Sequence, residues 1–337
     1  MAIQALTFHT VTRWQDDQPA ELNLGSEVKG ITADHEALFS QLKKLFQFRA
    51  GKFFGKFSSD SGQYPFPSWL NEQQSSKIGF EKLSTLYVQQ LKELIDKTSE
   101  SFERHIIHLN EDRADGARSY IFLLENSSGM KLDSQHILEP IDYLNTSKLE
   151  LAVRIDLEEW RSGTTDTPYL TLIKGRTLAK LGEAFAQSIG FENIVDTKQE
   201  TETLMEVLAG YTRSAEPKEA ANLKQKAYDF CVEQQQLGEA VPINELSGYL
   251  DENQPTRFAE FAEQEANIEA SKTLRPDTRK LKHLVRLSGK GNGLSLSFSS
   301  DLFQQTILFD EQSDTLTITA IPKTLKKQLM EYMKDKD

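Results

Sequence analysis

Cysteine and long apolar runs are scarce in this sequence, and each shortage excludes a class of protein. The single cysteine, Cys231, cannot form a disulfide within the chain, which excludes a disulfide-stapled secreted scaffold. Its apolar helical surroundings predict a buried structural thiol rather than a nucleophile. No apolar run approaches the roughly 20 residues that span a bilayer, and the first residues lack the basic and apolar blocks of a signal peptide. We therefore expect a cytoplasmic protein without membrane contact.

Positive charge is also in short supply. The chain has 39 lysines and arginines against 51 acidic residues, which gives a net charge of −12. This excludes a protein that is basic over its whole surface. It does not exclude a local basic patch, because physiological salt screens charges beyond about 8 Å. The 337 residues, 38% of them hydrophobic, are typical of a globular chain with room for two domains.

Signatures of catalysis are missing as well. The sequence has no nucleophile elbow, no HExxH motif and no dinucleotide fingerprint. His105 and His108 lie three residues apart on a predicted helix, without a further zinc ligand at a recognisable spacing, so we interpret them as structural. We expect no catalytic residue, no metal site and no cofactor.

The weakest alternative is a metal-dependent nuclease with carboxylates and a lysine around Mg²⁺. Its candidate residues are Glu139, Asp142, Lys148, Glu150 and Asp156.

Residues 1–197 mix strand and helix patterns. Apolar and polar residues alternate from Leu149 to Leu157, as in a half-buried strand. Helical periodicity covers residues 31–48, with Thr32 as the capping residue, and residues 80–106. A passage rich in glycine, proline and serine, residues 51–76, is typical of a loop. Further strands are predicted at 2–11, 20–28, 119–125 and 169–175, and a further helix at 176–190.

Residues 198–337 have a different composition. The chain is helical and acidic to about residue 265, and it then returns to strands at 293–299 and 305–321 before a short basic helix at 323–333. Because strands and helices are segregated rather than alternating regularly, the pattern indicates the α+β class. We predict an α+β domain over 1–197. The predicted second domain, 198–337, contains the helical acidic region, a basic helix and a C-terminal β-hairpin and helix unit.

One short segment concentrates the positive charge. Pro276 is suited to a first helical turn and Gly289 to a helix end, so a helix is predicted over 276–288. Its outer face would carry cations without the acidic partners at i±4 that a surface helix normally has. The glycine-rich stretch after it is either a flexible turn or a loop that contacts phosphate. The predicted DNA contacts of this segment are Lys272, Arg275, Arg279, Lys280, Lys282, Arg286 and Lys290.

Two other basic segments are weaker candidates. Lys174, Arg176 and Lys180 cluster at a strand-to-helix turn, where helix N-terminal amides could also receive a phosphate. Residues 43–57 interleave basic residues with phenylalanines that could stack on unpaired bases. For these phenylalanines we favour a place in the core.

Several stretches between Leu149 and the C-terminus resemble a bacterial family. These are "VRIDLEEW" at 153–160, "YLTLIKGR" at 169–176, "SGKGNGLSLSFSSDLF" at 288–303 and "ILFDEQSDTLTITAIPKTLKKQL" at 307–329. They are similar to the nucleoid-associated family called NdpA or YejK. The resemblance implies a cytoplasmic protein of the nucleoid that binds DNA without known catalysis, with a type II topoisomerase as a candidate partner. It supplies no binding residues, and it leaves the formation of a homo-oligomer open.

The leading hypothesis is therefore non-catalytic DNA binding that is largely independent of base sequence. The alternative is an adaptor whose acidic helical region docks on a DNA-processing enzyme such as a type II topoisomerase. Base preference and the choice between single and double strands are not specified by these patterns.

Overall fold

Two units make up the chain in a computed structural model, Met1–Asp196 and Thr197–Asp337. The structure describes residues 2–15, 18–98, 100–163, 167–175, 177 and 179–334. Both units combine helices with antiparallel strand pairs, which confirms the prediction of the α+β class. No helix in these ranges is both long and apolar enough to cross a bilayer.

The first unit is built on a mixed set of strands and helices. Its strands are β1 Ala2–Arg13, β2 Glu21–Glu27, β3 Phe53–Phe57, β4 Phe102–Asp112, β5 Arg118–Leu124, β6 Asn126–Leu132, β7 Leu138–Leu144, β8 Leu151–Asp156, β9 Leu170–Lys174 and β10 Phe191–Asn193. Its helices are α1 Ala33–Phe48, α2 Phe66–Gln74, α3 Phe80–Ile95, α4 Leu157–Ser162 and α5 Ala179–Ile189.

Eight of the described strands form one sheet in the order β10-β3-β9-β8-β5-β4-β1-β2, with every neighbouring pair antiparallel. Strands β6 and β7 pair only with each other among these elements, as a separate hairpin.

The central strand β5 shows how the sheet divides the core. Side chains of a strand alternate between its faces. Ile121 and Leu123 enter a cluster with α2, α3 and α5, whereas Tyr120, Phe122 and Leu124 enter a second cluster with α1. All five are buried. Full burial of such an apolar side chain stabilises the fold by about 1.5–3 kcal/mol, so both sheet faces contribute a core.

The predicted helix at 80–106 is wrong beyond residue 95. Helix α3 ends there because the buried Arg13 donates hydrogen bonds from Nη1 to the carbonyls of Ile95 and Thr98, each at 2.7 Å. The chain then enters β4, which lies between β1 and β5 in the sheet. His105 and His108 are therefore strand residues, not helical ones.

The predicted loop at 51–76 is also wrong. It contains β3, which pairs with β9 and β10, and the helix α2. Phe57, Phe66 and Leu70 of this passage are buried in the core cluster with α3. Long-range pairing and burial override the turn-forming composition here.

The second unit begins with four helices around their own core. Its elements are α6 Thr197–Tyr211, α7 Pro217–Leu237, β11 Val241–Pro242, α8 Ile243–Leu250, α9 Arg257–Ala266, β12 Thr273–Leu274, α10 Thr278–Leu281, β13 Arg286–Gly291, β14 Leu294–Ser299, β15 Ile307–Asp310, β16 Thr315–Ile318 and α11 Lys323–Lys334. Leu204, Leu246 and Phe258 are buried in this core. Cys231 lies in it as well, and burial raises the pKa of its thiol to about 12, in line with the predicted structural role.

Candidate nucleic-acid interface

The basic segment does not fold as one helix. Helix α10 starts after Asp277, whose carboxylate accepts the backbone N–H of Arg279 at 2.9 Å. It spans only Thr278–Leu281, and a 3₁₀ turn, Lys282–Leu284, follows it. Strand β13 then starts at Arg286. The prediction of a helix over 276–288 is therefore wrong beyond Leu284.

Hydrogen bonds from Ser300 account for the early end of the helix. Ser300 donates its Oγ–H to the carbonyl of Leu284 at 3.1 Å and its backbone N–H to the carbonyl of Val285 at 3.0 Å. In a continued α-helix these carbonyls would accept from residues 288 and 289. Leu281 and Val285 are buried, so the turn is anchored on the unit core while the next residues leave it.

The glycine-rich stretch is the end of a two-stranded ribbon, β13–β14. Asn292 and Gly293, with φ of 49° and 77°, form the two-residue connection between Gly291 and Leu294. Positive φ at both positions is the requirement of the hairpin turn that Asn-Gly favours. Gly289 lies within β13 and does not end a helix. The Asn-Gly pair was the local signal for this ribbon that the helix prediction missed.

The register of the ribbon separates its side chains by chemistry. Arg286 pairs with Ser299, and Lys290 pairs with Ser295. Opposed residues share a face and neighbours along a strand alternate. The polar face therefore carries Arg286, Ser288, Lys290, Ser295, Ser297 and Ser299. The apolar face carries Leu287, Gly289, Gly291, Leu294, Leu296 and Phe298. Arg286 donates from Nε to Ser297 Oγ at 2.6 Å, across the polar face.

Two of the predicted cations are paired with carboxylates. Arg279 forms a salt bridge with Asp277 at 2.9 Å, and Lys280 lies 3.9 Å from Glu202 of α6. Burial of the Asp277 carboxyl opposes its ionisation, yet hydrogen bonds from Arg279 lower its pKa below the ordinary value. These contacts reduce the charge that Arg279 and Lys280 can offer to a ligand.

Four other predicted cations are exposed, and they form no ion pair with a carboxylate that the structure describes: Lys272, Lys282, Arg286 and Lys290. Arg275 is half-buried, and its backbone N–H donates to Glu200 of α6 at 2.6 Å. This contact fixes the start of the basic segment on the helical core. The segment is therefore held at its base and open toward solvent at its ribbon.

The second candidate cluster belongs to the first unit. Lys174 forms a salt bridge with Glu183 at 2.6 Å and lies over the ring of Phe53. Backbone N–H groups at the start of α5, those of Lys180 and Leu181, donate to the carboxylate of Glu100 at 3.4 and 3.0 Å. A carboxylate thus occupies the amides that the sequence suggested for a phosphate. Arg176 lies outside the described residues.

The segment of interleaved lysines and phenylalanines, residues 43–57, is partly buried and partly exposed. Phe46 and Phe57 are buried, as favoured, whereas Phe48 and Phe53 are exposed. Lys43 is paired with the buried carboxylate of Glu111. The segment spans α1 and β3, so its basic residues do not follow one continuous surface element.

The residues of the nuclease alternative are dispersed. Asp142 accepts a hydrogen bond from Ser128 on the β6–β7 hairpin, Glu150 pairs with Lys148, and Asp156 pairs with arginines of β5 and β8. Within the described ranges, no three His, Cys, Asp or Glu side chains are grouped so that they could hold a metal ion. These three carboxylates take part in ion pairs and a cross-strand hydrogen bond instead.

Similarity to known proteins decides the family. A family model described as nucleoid-associated protein YejK matches residues 8–326. The chain belongs to this family. A nucleoid-associated protein of Azotobacter vinelandii is 30% identical over 331 residues, 98% of each chain. One of Pseudomonas savastanoi pv. phaseolicola is 30% identical over 98% of this chain and 99% of its own. The match confirms the resemblance seen in the sequence, and with it the expectation of a bacterial nucleoid-associated protein.

Proposed function

We propose that this protein binds DNA without catalysis, chiefly through the phosphate backbone, and that the polar face of the β13–β14 ribbon is the main contact. The observation that carries this proposal is the charge of residues 278–300, which contain five lysines and arginines and no acidic residue. Like charges held together in one surface segment repel each other, so they favour an anionic ligand. Membership of a nucleoid-associated family supports DNA as that ligand.

The geometry of the ribbon suits a nucleic-acid backbone. Arg286 and Lys290 lie four residues apart on one strand face, a distance of about 13 Å at 3.3 Å per residue. This distance corresponds to roughly four base-pair steps along a duplex. The four serines between and opposite them supply hydroxyl donors of the kind that often contact phosphate oxygens. Contacts of this type fix position on DNA and carry little sequence information, which supports binding that is largely independent of sequence.

The other predicted contacts contribute unequally to the proposed DNA binding. Lys272 and Lys282 extend the ribbon contact because both are exposed. Arg279 and Lys280 contribute less because carboxylates accompany them. Lys174 and Lys180, with Arg176, remain a proposed second contact of the first unit.

A salt series tests the proposal. The logarithm of the binding constant should fall with the logarithm of salt concentration by about 0.9 per phosphate contacted, so four contacts predict a slope near −3.6. Arg286→Ala and Lys290→Ala should each flatten the slope by about 1 on random duplex DNA. Arg213→Ala and Lys218→Ala remove the same charge from exposed positions of α6–α7 and serve as matched controls. If ribbon and control variants bind alike, the ribbon is not the interface.

A second candidate function is favoured by the acidic surface of the helical region. Residues 243–270 contain seven acidic residues and one basic residue. Six of the acidic side chains are exposed: Glu245, Glu252, Glu260, Glu263, Glu265 and Glu269. Such a surface suits a basic partner, and we propose a DNA-processing enzyme such as a type II topoisomerase as that partner.

A pull-down separates the adaptor role from DNA binding. Purified type II topoisomerase should be retained by the protein after DNase treatment, and replacement of Glu260 and Glu263 with glutamine should weaken retention. Arg286→Ala should leave retention unchanged. A complex that disappears with the DNA argues against the adaptor role and leaves the DNA-binding proposal intact.

A further inference from the structure

A cleft of the first unit lies beside α1, over the paired ends of β1 and β4, and we call it the α1 cleft. It is lined by side chains of α1 from Glu36 to Gln47, by Ala2 and Ile3 of β1, and by Glu111 of β4. Its volume is about 350 Å³, within the range of roughly 300–1,000 Å³ that is typical of small-ligand sites. None of the residues proposed to contact DNA lines it.

Glu111 supplies a buried carboxylate to the α1 cleft. Its side chain is only 2% exposed, and its Oε1 pairs with the ammonium group of Lys43. The other oxygen, Oε2, is also buried and has no hydrogen-bond partner among the described residues. Buried polar atoms are nearly always satisfied, because a carboxylate oxygen without a donor loses its hydration and gains nothing in return. A bound molecule that donates to Oε2 removes this cost.

The strands beside Glu111 explain why the chain itself supplies no donor to Oε2. The residue opposite Glu111 on β5 is Arg118. Its guanidinium contacts the carboxylates of Asp115 at 3.0 Å and Asp156 at 2.8 Å instead. The residue opposite Glu111 on β1 is Ile3, which has no side-chain donor. A donor for Oε2 therefore has to come from the α1 cleft.

Strand β1 is irregular at the same point. Its register with β4 shifts between Ile3 and Ala5, so β1 carries one extra residue there. A β-bulge of this kind bends a strand and re-aims side chains, and bulges are over-represented next to functional sites. The shift is adjacent to Glu111 in the sheet. The bulge and the carboxylate oxygen without a donor thus occur at the same wall of the α1 cleft.

The charges around the α1 cleft are balanced. Glu36 and Glu111 provide two carboxylates, and Lys43 and Lys44 provide two ammonium groups. Glu36 and Lys44 are exposed, and neither forms an ion pair within the part of the chain that the structure describes. An anion alone is repelled by both carboxylates, and a cation alone is repelled by both lysines. A small molecule that carries one ammonium and one carboxylate matches this lining.

The remaining lining of the α1 cleft is largely apolar. Ala2, Ile3 and Phe39 contribute to it. Phe39 is 7% exposed, and its ring packs edge-on against the ring of Tyr120, with 5.3 Å between the centroids. This contact fixes the position of the Phe39 ring. Small-ligand sites combine such an apolar surface with a few polar groups that set the orientation of the ligand.

We propose that the α1 cleft binds a free α-amino acid with a large apolar side chain. The ammonium group of the ligand pairs with Glu111, at Oε2, and with Glu36. Its carboxylate pairs with Lys44, and its side chain lies against Phe39 and Ile3. Hydrogen bonds between ionised groups are about twice as strong as neutral ones, so both ends of the ligand contribute to recognition. This ligand is independent of the proposed DNA binding.

Titration with three related probes tests the class of ligand. L-Phenylalanine carries all three recognised groups, 3-phenylpropanoate lacks the ammonium group, and 2-phenylethylamine lacks the carboxylate. In nuclear magnetic resonance spectra of the whole chain, the amide signals of Ile3 and of residues 36–47 should shift with L-phenylalanine. Its dissociation constant should be below about 1 mM, and each analogue should bind about tenfold more weakly. Glycine should also bind weakly, because it has no apolar side chain.

Variants of the lining test the position of the site. Lys44→Gln should weaken the binding of L-phenylalanine about tenfold and leave that of 2-phenylethylamine unchanged, since the amine has no carboxylate. Lys82→Gln removes the same charge from an exposed position of α3 and is the matched control. Glu111→Gln should weaken both probes that carry an ammonium group, provided that circular dichroism shows a folded protein. The exposed Glu36→Gln gives the same test if Glu111→Gln does not fold.

Three results would overturn the proposal. The first is the absence of a saturable shift with L-phenylalanine up to about 10 mM, which would leave Glu111 Oε2 to an ordered water. The second is equal affinity for L-phenylalanine and its two analogues, which would exclude recognition of the paired charges. The third is an equal effect of Lys44→Gln and Lys82→Gln, which would place the binding outside the α1 cleft. None of these results bears on the salt slope of DNA binding.

Discussion

Two arginines of the basic segment show how strongly local surroundings change the ability of one side chain to contact a phosphate. Arg279 is held by Asp277 through its guanidinium and its backbone N–H, and the side-chain hydrogen bond to Asp277 raises the pKa of the guanidinium. Arg286 contacts only the neutral Ser297 among its described partners. A phosphate that approaches Arg279 also meets the Asp277 carboxylate. Phosphate contact by Arg286 has no such competitor.

This difference predicts unequal effects of the same substitution. Arg286→Ala should reduce the salt slope of DNA binding by about 1, and Arg279→Ala by clearly less than 1. The measurement is fluorescence anisotropy of a labelled random duplex between 50 and 300 mM salt. Asp277→Asn is the converse variant. It removes the negative charge that pairs with Arg279, so it should steepen the salt slope of DNA binding. Equal slopes for the two arginine variants would contradict the role given to Asp277.

A buried histidine predicts sensitivity to acid. His108 is fully buried against the ring of Phe80, and burial lowers its pKa from the ordinary 6.5 to about 3. Below pH 6.5 the unfolded chain binds a proton at this residue while the folded chain does not. The stabilisation is therefore complete above pH 6.5 and is lost as the pH falls toward 3. Between pH 7.5 and 5 this histidine alone should cost about 2 kcal/mol.

The variant His108→Gln isolates this contribution. It keeps a group able to hydrogen-bond Ser119, which lies 3.2 Å from His108 Nε2, and it cannot titrate. Urea unfolding at pH 7.5 and 5 should show a smaller acid loss in the variant than in the wild type, even though the variant is less stable at pH 7.5. An identical loss in both proteins would assign the acid sensitivity to other groups.

At the scale of elements, the Asn-Gly turn organises the ribbon. Gly293 has φ of 77°, where a Cβ is strained, and nothing lies within 4 Å of the Cβ that alanine would add. Gly293→Ala should therefore disturb the turn through backbone strain alone, by about 1–2 kcal/mol. Since only the ribbon is affected, DNA affinity should fall several-fold while thermal unfolding of the first unit stays unchanged.

The control for the turn is the neighbouring residue. Asn292→Gly retains positive φ at both turn positions and should leave DNA affinity nearly unchanged. Both variants are compared by anisotropy and by hydrogen exchange of 286–299. A turn variant that loosens exchange without changing DNA affinity would argue that the ribbon fold is not needed for binding.

The elements also show which structures were predictable from sequence. Helices such as α1 and α5 follow local periodicity and were predicted closely, because one apolar stripe faces one core. The error at 285–288 has a long-range cause, since Ser300 takes the carbonyls of Leu284 and Val285 from fifteen or more residues away. The division of the ribbon into a cationic and an apolar face followed only from its register. The charge excess of the candidate site was predictable, whereas its shape was not.

At the scale of the whole molecule, the second unit separates its negative and positive charges along the chain. Residues 197–270 carry 6 basic and 15 acidic residues, a net charge of −9, whereas residues 271–300 carry 7 basic and 1 acidic residue, a net charge of +6. An acidic helical region thus precedes a cationic segment within the second unit. A polyanion approaching such a unit is repelled by one part and attracted by another, which favours one orientation of binding. The net charge of −12 therefore gives little information about the partner.

The division into two units predicts how the intact chain unfolds. Each unit has a core of its own, with Phe185 buried in the first and Leu246 in the second. If the units are independent domains, calorimetry of the full chain should resolve two transitions. Phe185→Ala should cost about 3–5 kcal/mol and Leu246→Ala about 2–5 kcal/mol, each because the lost packing leaves a cavity. In units of about 140 to 200 residues, 1 kcal/mol shifts the melting temperature by roughly 2–5 °C.

Each variant should therefore lower one transition by roughly 10 °C and leave the other within about 1 °C. The two variants are matched controls for each other, since both remove a fully buried apolar side chain from a helix. A single transition that both variants shift equally would mean that the units unfold as one cooperative body, despite their separate cores.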